Sequence, residues 1–126
     1  MKINKIAIIG LGYVGLPLAV SLCKSFKVLG LDINKKRIRE LRAGKDSTNE
    51  VSSVNLKMSM NRNLEITSEQ DDLSNCNVYI VTVPTPVTKS NKPDFSYLLN
   101  SCKMIGSTMK KHSIIIFEST VYPGAT

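Results

Sequence analysis

Histidine is almost missing from this chain: His112 stands alone, which excludes a metal cluster built on several histidines. Cysteine is sparse as well. Cys23, Cys76 and Cys102 are odd in number, widely spaced and mostly set in apolar segments, which suits reduced core thiols better than disulfides or a metal site. No apolar run is long enough to cross a bilayer, and Met1 to Lys5 lead straight into a strand-like run with no separate apolar segment before a cleavage site. A cytoplasmic protein with no signal peptide, no metal and no membrane partner is the expectation.

Acidic residues are the scarcer charge, 10 against 17 basic ones, for a net charge of +7. The excess invites a nucleic-acid reading, but Lys35, Lys57, Arg62, Lys89 and Lys110 are scattered, without aromatic interleaving or a nucleic-acid motif. A solvated basic surface follows, with at most a general attraction for anionic ligands that carry pyrophosphate. Repeats and low-complexity segments are also absent. At 126 residues and 42% hydrophobic, the chain can bury one modest core and reads as a single domain.

What is present centres on Lys5 to Asp32. The run Ile6-Ala7-Ile8-Ile9 stops at Gly10, and Gly10-Leu11-Gly12-Tyr13-Val14-Gly15 has the G-x-G-x-x-G spacing that opens a dinucleotide-binding βαβ unit. An apolar helical segment, Leu16 to Phe26, and a second apolar run, Val28 to Leu31, supply the context that this spacing needs. Gly10 suits the tight turn, Gly12 the close approach of a pyrophosphate, and Gly15 the packing of helix on sheet. Pro17 in the first turn removes a donor the helix would not use. Asp32, at the end of the second strand, is placed to accept hydrogen bonds from the adenosine ribose, which favours NAD over NADP. Lys35, Lys36 and Arg37 could draw in a 2′-phosphate but start the next helix, farther from the ribose position.

Beyond Asp32, a helix from Asn34 to Ala43 is expected, capped by Asn34, closed by Gly44 and turned inward at Ile38 and Leu41. Arg37 there is either a guanidinium near the adenosine end of the cofactor or a solvated helix charge. Lys45 to Arg62 is polar and weakly periodic, a long excursion holding a short helix. Asn63 to Thr67 reads as a strand, Ser68 to Ser74 as a polar turn or short helix, and Val78 to Val83 as a strand covered on both faces. Pro84-Thr85-Pro86 ends that strand, at the carboxyl edge where open α/β sheets bind ligands. Asp94 should cap a helix whose apolar positions, Phe95, Leu98, Leu99, Cys102, Ile105 and Met109, form a core face, with Gly106 weakening its last turn. Ser113 to Phe117 is expected as a buried strand, and the hydroxyls after it leave at the same edge. Strands separated by helices predict an α/β fold, a Rossmann-like doubly wound parallel sheet.

Three motifs, GLGYVGLPLA with Asp32, VTVPTPV at Val81 to Val87 and ESTVYPGAT at Glu118 to Thr126, resemble the N-terminal NAD-binding domain of the UDP-glucose/GDP-mannose dehydrogenase family. The segments KPDFSYLLNS and STVYPGAT are similar to the branch that oxidises UDP-N-acetylhexosamines for polysaccharide synthesis. The resemblance implies oxidation of a sugar C6 alcohol to the acid by two NAD⁺, through a thioester on a cysteine. It places Gly10, Leu11, Gly12, Tyr13, Val14 and Gly15 on the pyrophosphate, and Asp32 and Arg37 on the adenosine ribose. Thr82, Val83, Pro84 and Thr85 lie beside the adenosine, and Ser119 and Thr120 near the nicotinamide, with Thr120 helping to position the catalytic water. The family's nucleophilic cysteine and its nucleotide-sugar-binding domains lie beyond this stretch, so residues 1–126 read as the NAD-binding part of a longer homo-oligomeric enzyme, expected to be inactive alone. The competing readings are a regulatory dinucleotide-sensing domain and another NAD-dependent hydroxyacid-type dehydrogenase.

Overall fold

Five short strands form where the apolar runs predict them: β1 (Ile6–Ile9), β2 (Val28–Leu31), β3 (Leu64–Thr67), β4 (Val78–Val81) and β5 (Ile114–Phe117). The structure is a computed structural model and describes residues 2–118. All pairings are parallel, in the order β3-β2-β1-β4-β5. Helices α1 (Gly15–Leu22), α2 (Lys35–Arg42), α3 (Ser53–Met60) and α4 (Ser96–Thr108) and a 3₁₀ segment, Gln70–Asn75, link the strands.

Successive side chains of a strand point to opposite faces, and a parallel sheet buries both. Ile6, Ile8, Val28, Val78 and Ile80 therefore pack on one face with Leu16 and Ala19 of α1, Ile38 and Leu41 of α2 and Leu56 of α3. Ala7, Ile9, Leu29, Leu31, Tyr79 and Val81 pack on the other with Leu73 and with Ile105 of α4. Gly30 is the exception along β2: a Cβ there would lie 2.9 Å from the Leu11 side chain, so the missing side chain is what lets Leu11 sit down on the sheet.

Local signals set most of the ends. The Asn34 side chain accepts from the Lys36 and Arg37 N–H groups and Gly44, at φ 82°, closes the turn after α2, as expected. The short helix of the long excursion forms as α3, capped by Ser52. Cys23 and Cys76 are buried free thiols, and burial pushes the Cys76 thiol up to about 11, which leaves it protonated and inert.

Several expectations need correction. Helix α1 ends at Leu22, with Cys23 as its C-cap, rather than reaching Phe26. Strand β4 ends at Val81, though the Thr82 N–H still bonds to Ile9. Phe95, not Asp94, is the N-cap of α4; Asp94 Oδ1 accepts instead from the Ser96 N–H, an Asx turn just before the helix. Helix α4 ends at Thr108, two residues past Gly106, which lies in its last turn as expected.

The larger correction concerns burial. Of the six apolar positions expected to form the α4 core face, Ile105 is buried and Leu98 partly so, while Phe95, Leu99, Cys102 and Met109 are exposed. Ser101 is buried instead, its hydroxyl donating to the Tyr97 carbonyl. The six residues span about 120° of the helix, an ordinary apolar stripe, but α4 docks on one edge of it, so that Leu98, Ile105 and the neighbouring Ser101 face inward. Strand β5 is likewise not buried: Ile114, Ile116 and Phe117 are exposed and only Ile115 packs on the α4 side, whereas β3, the opposite edge of the sheet, is buried under the helices of its face.

Candidate functional site

The strand order turns at β1, which has β2 on one side and β4 on the other, so the connections after β1 and β4 leave in opposite directions. Such a switch point opens a crevice beyond the carboxyl ends of the strands. A cavity of about 630 Å³ lies there, floored by Ile9 and Leu31 and walled by the Gly10 loop, the start of α2, the end of β4 and one side of α4.

The first wall is the glycine loop, and its shape follows from three close approaches. Gly10, at φ 97°, receives no side chain because a Cβ would sit 3.0 Å from the Val83 nitrogen. Its N–H donates to Leu31 and its carbonyl accepts from Thr82 Oγ1 at 2.7 Å. Gly15 packs against that same carbonyl. Gly12 differs from both, since the space above its Cα is open to at least 4 Å. Helix α1 begins immediately after; no side chain caps it, and none caps α4, whereas Asn34 caps α2 and Ser52 caps α3. Open space over a glycine beside uncapped helix N–H groups is the arrangement that accepts a phosphate.

The second wall is charged. Asp32 leaves β2 and its carboxylate accepts from two backbone donors, Leu11 N–H at 2.9 Å through Oδ2 and Asn34 N–H at 2.9 Å through Oδ1. A carboxylate has about four lone-pair directions, so both oxygens keep acceptor capacity for ribose hydroxyls. Arg37 is buried rather than solvated, which removes the helix-charge reading. Its Nε donates to the Leu11 carbonyl at 2.8 Å and its Nη1 to Asp46 Oδ1 at 2.8 Å. The remaining nitrogen, Nη2, is the one buried side-chain polar atom without a partner among the described residues. Leu11 is thus held from both sides, its N–H by Asp32 and its C=O by Arg37.

Asp46 is the residue that the sequence reading missed. Its side chain is fully buried and accepts five hydrogen bonds, from Arg37, from the Thr48 N–H and hydroxyl, and from the Glu50 and Val51 N–H groups. Burial raises its pKa, but the hydrogen bonds from Thr48, Val51 and Arg37 outweigh that and hold it at about 2. A folded-state pKa below the unfolded 3.8 stabilises the fold above that value and ceases to do so as pH falls toward 2. We expect Asp46 to contribute on the order of 2 kcal/mol at neutral pH, all of it lost between roughly pH 5 and pH 2. Acid unfolding of Asp46→Ala should lack that part of the slope; an unchanged slope would refute the assignment. The Asp46-Ser47-Thr48 spacing of an Asx turn was the available signal.

Of the other expected site residues, Gly10, Leu11, Gly12, Tyr13, Val14, Asp32, Arg37, Thr82, Val83 and Pro84 line the cavity, while Gly15 and Thr85 do not. Thr82 is buried, and its hydroxyl is committed to the Ile9 and Gly10 carbonyls, so it braces the loop. Ser119 and Thr120 lie outside the described residues. The sequence reading also missed the α4 wall, Tyr97, Asn100, Ser101 and Met104, whose i, i+3, i+4, i+7 spacing is a helical face of mixed polarity that a search for apolar residues passes over.

Fold and cavity together define a dinucleotide-binding domain of the doubly wound α/β class. The residues fit such a ligand on two independent grounds, the open space over Gly12 and the partnerless Arg37 Nη2. Comparison with known proteins narrows the class: the chain belongs to the UDP-glucose/GDP-mannose dehydrogenase family, whose NAD binding domain it matches over residues 4–126. It is 52% identical over its whole length to a UDP-N-acetyl-D-glucosamine 6-dehydrogenase from Pseudomonas aeruginosa, and 49% identical over 98% of its length to Protein CapL from Staphylococcus aureus. It spans 29% and 28% of the length of those two relatives. Among solved structures, a UDP-D-ManNAc dehydrogenase from Pyrococcus horikoshii superposes with a TM-score of 0.86 and 33% identity, covering 97% of this chain and 30% of that one. The cofactor of the domain is NAD. No helix among the described residues is long and apolar enough to cross a membrane.

Proposed function

We propose that this chain is the NAD-binding domain of a longer UDP-sugar 6-dehydrogenase, a homo-oligomeric cytoplasmic enzyme that oxidises the C6 alcohol of a UDP-N-acetylhexosamine to the uronic acid for polysaccharide biosynthesis. UDP-N-acetylglucosamine and UDP-N-acetylgalactosamine are the favoured substrates. The observation that carries this reading is the 52% identity, over every residue of the chain, with a UDP-N-acetyl-D-glucosamine 6-dehydrogenase. The exposed apolar side chains of β5, Ile114, Ile116 and Phe117, fit a domain that further structure covers, since a parallel strand is normally packed on both faces.

Within this domain the residues bind and orient. The α1 N-terminus and the space over Gly12 receive the pyrophosphate, Asp32 takes the adenosine ribose, and Arg37 supplies its spare donor beside it. When bound, NAD⁺ supplies the hydride acceptor. The Asp32 carboxylate disfavours a 2′-phosphate by about 1 kcal/mol in water and about 4 kcal/mol at an effective dielectric near 20, so NAD should be preferred over NADP several-fold to several-hundred-fold. Thr120 is the residue assigned to orient the hydrolytic water, by family resemblance.

The enzyme carrying this domain should form two NADH per sugar with one of UDP-N-acetylglucosamine, UDP-N-acetylgalactosamine, UDP-glucose and GDP-mannose assayed in parallel. Absence of NADH with all four, alongside intact NAD binding, would overturn the reading in favour of a dinucleotide sensor or another dehydrogenase class.

A further inference from the structure

The cofactor cavity and the polar excursion between α2 and α3 meet at a single ion pair. Arg37 reaches from the first turn of α2 to the Leu11 carbonyl on one side and to Asp46 on the other, each at 2.8 Å. Asp46 is tied to the excursion through four further bonds, from Thr48 N–H, Thr48 Oγ1, Glu50 N–H and Val51 N–H, at 2.6 to 3.0 Å. Val51 in turn is anchored in the core. A guanidinium has five N–H donors in a planar fork, so fixing Nη1 and Nε fixes the direction of Nη2 as well. That atom has no protein partner although it is buried, and Arg37 is part of the cavity wall.

We propose that Asp46 is a positioning residue of the cofactor site: it orients the Arg37 guanidinium so that Nε sets the Leu11 peptide, and with it the Gly10–Gly12 turn, while Nη2 is kept available for the bound dinucleotide. The inference rests on the NAD-binding reading and adds that Asp46, which lies outside the glycine loop, sets the affinity of that loop through Arg37. A carboxylate is required rather than any acceptor. Oδ1 and Oδ2 both face donors, so an asparagine must turn its NH₂ toward N–H groups on one side or the other.

The test is calorimetric titration of the chain with NAD, below its melting temperature. Asp46→Asn should weaken NAD binding about tenfold. In an Arg37→Lys background, where the fork is already lost, Asp46→Asn should cost no further affinity. Thr48→Val removes a loop-side bond to Asp46 and should lower the melting temperature while leaving the NAD Kd unchanged. The Arg37 Nε–H proton resonance, protected by Leu11 in the parent, should exchange faster in Asp46→Asn. Unchanged affinity in folded Asp46→Asn, or losses that simply add in the double variant, would reduce Asp46 to a staple of its own loop. Where Asp46→Asn fails to fold, Asp46→Glu, which keeps the charge but displaces the carboxylate, serves in the same comparisons. A parent chain that binds no NAD would overturn the cofactor reading, a result distinct from either outcome for Asp46.

Discussion

Gly15→Ala should strongly destabilise this domain, while Gly12→Ala, three residues away in the same motif, should leave its stability nearly unchanged and make it unable to hold NAD. A Cβ on Gly15 would collide with the Gly10 carbonyl oxygen, lie 2.9 Å from its carbonyl carbon and 2.5 Å from Thr82 Oγ1. None of these can retreat. Gly10 is tied to Leu31 through its N–H and to Thr82 through its carbonyl, and Thr82 is itself bonded to Ile9. Overpacking against fixed backbone and stranding the buried Gly10 carbonyl together should cost about 4 kcal/mol. For a domain of this size that lowers the melting temperature by roughly 10–20 °C. At Gly12 the added methyl meets nothing within 4 Å, so stability should change by less than about 1 kcal/mol. The methyl fills instead the approach path of the pyrophosphate. Melting curves and NAD titrations of the two variants separate the effects, and a Gly15→Ala protein as stable as the parent would contradict the packing described for the loop.

Arg37→Met should destabilise the chain by about 3 kcal/mol in urea at neutral pH. Methionine fills much of the same volume but leaves the Asp46 carboxylate without its countercharge and the Leu11 carbonyl without a donor. Breaking a buried pair from one side generally costs more than the pair contributes, because the surviving charge stays buried. Here four other donors remain on Asp46, which is why the lower end of the range is expected. The same variant should shift acid unfolding to higher pH, since the Arg37 hydrogen bond is one of those that lower the Asp46 pKa. The difference between parent and variant should therefore shrink as pH falls and Asp46 takes up a proton. A loss under about 1 kcal/mol would mean that water or a neighbouring side chain replaces the guanidinium.

The sequence by itself determined the sheet and the loop at its centre. Runs such as Ile6–Ile9 and Val78–Val81 are short, rich in β-branched residues, apolar at consecutive positions and soon followed by glycine or proline, which together mark strands covered on both faces, and helices between them favour parallel pairing. The glycine spacing and Asp32 were equally legible, because a turn at positive φ and a close backbone approach leave almost no other residue type possible. Tertiary structure decided the rest. Arg37 could be read as a solvated helix charge or a cofactor contact until the fold brought Leu11 and Asp46, 26 residues before it and 9 after it, to its two sides. Asp46 lies in a stretch with no strong helix or strand pattern; four of its five bonds are local, but its link to the cofactor site exists only because the chain reversal after α2 brings Arg37 to it. Burial on α4 was decided the same way, with Ser101 inside and Leu99 outside. Local periodicity records which residues tolerate burial, but the arc that faces the core is chosen by where the helix is docked, and that is settled by contacts far away in sequence.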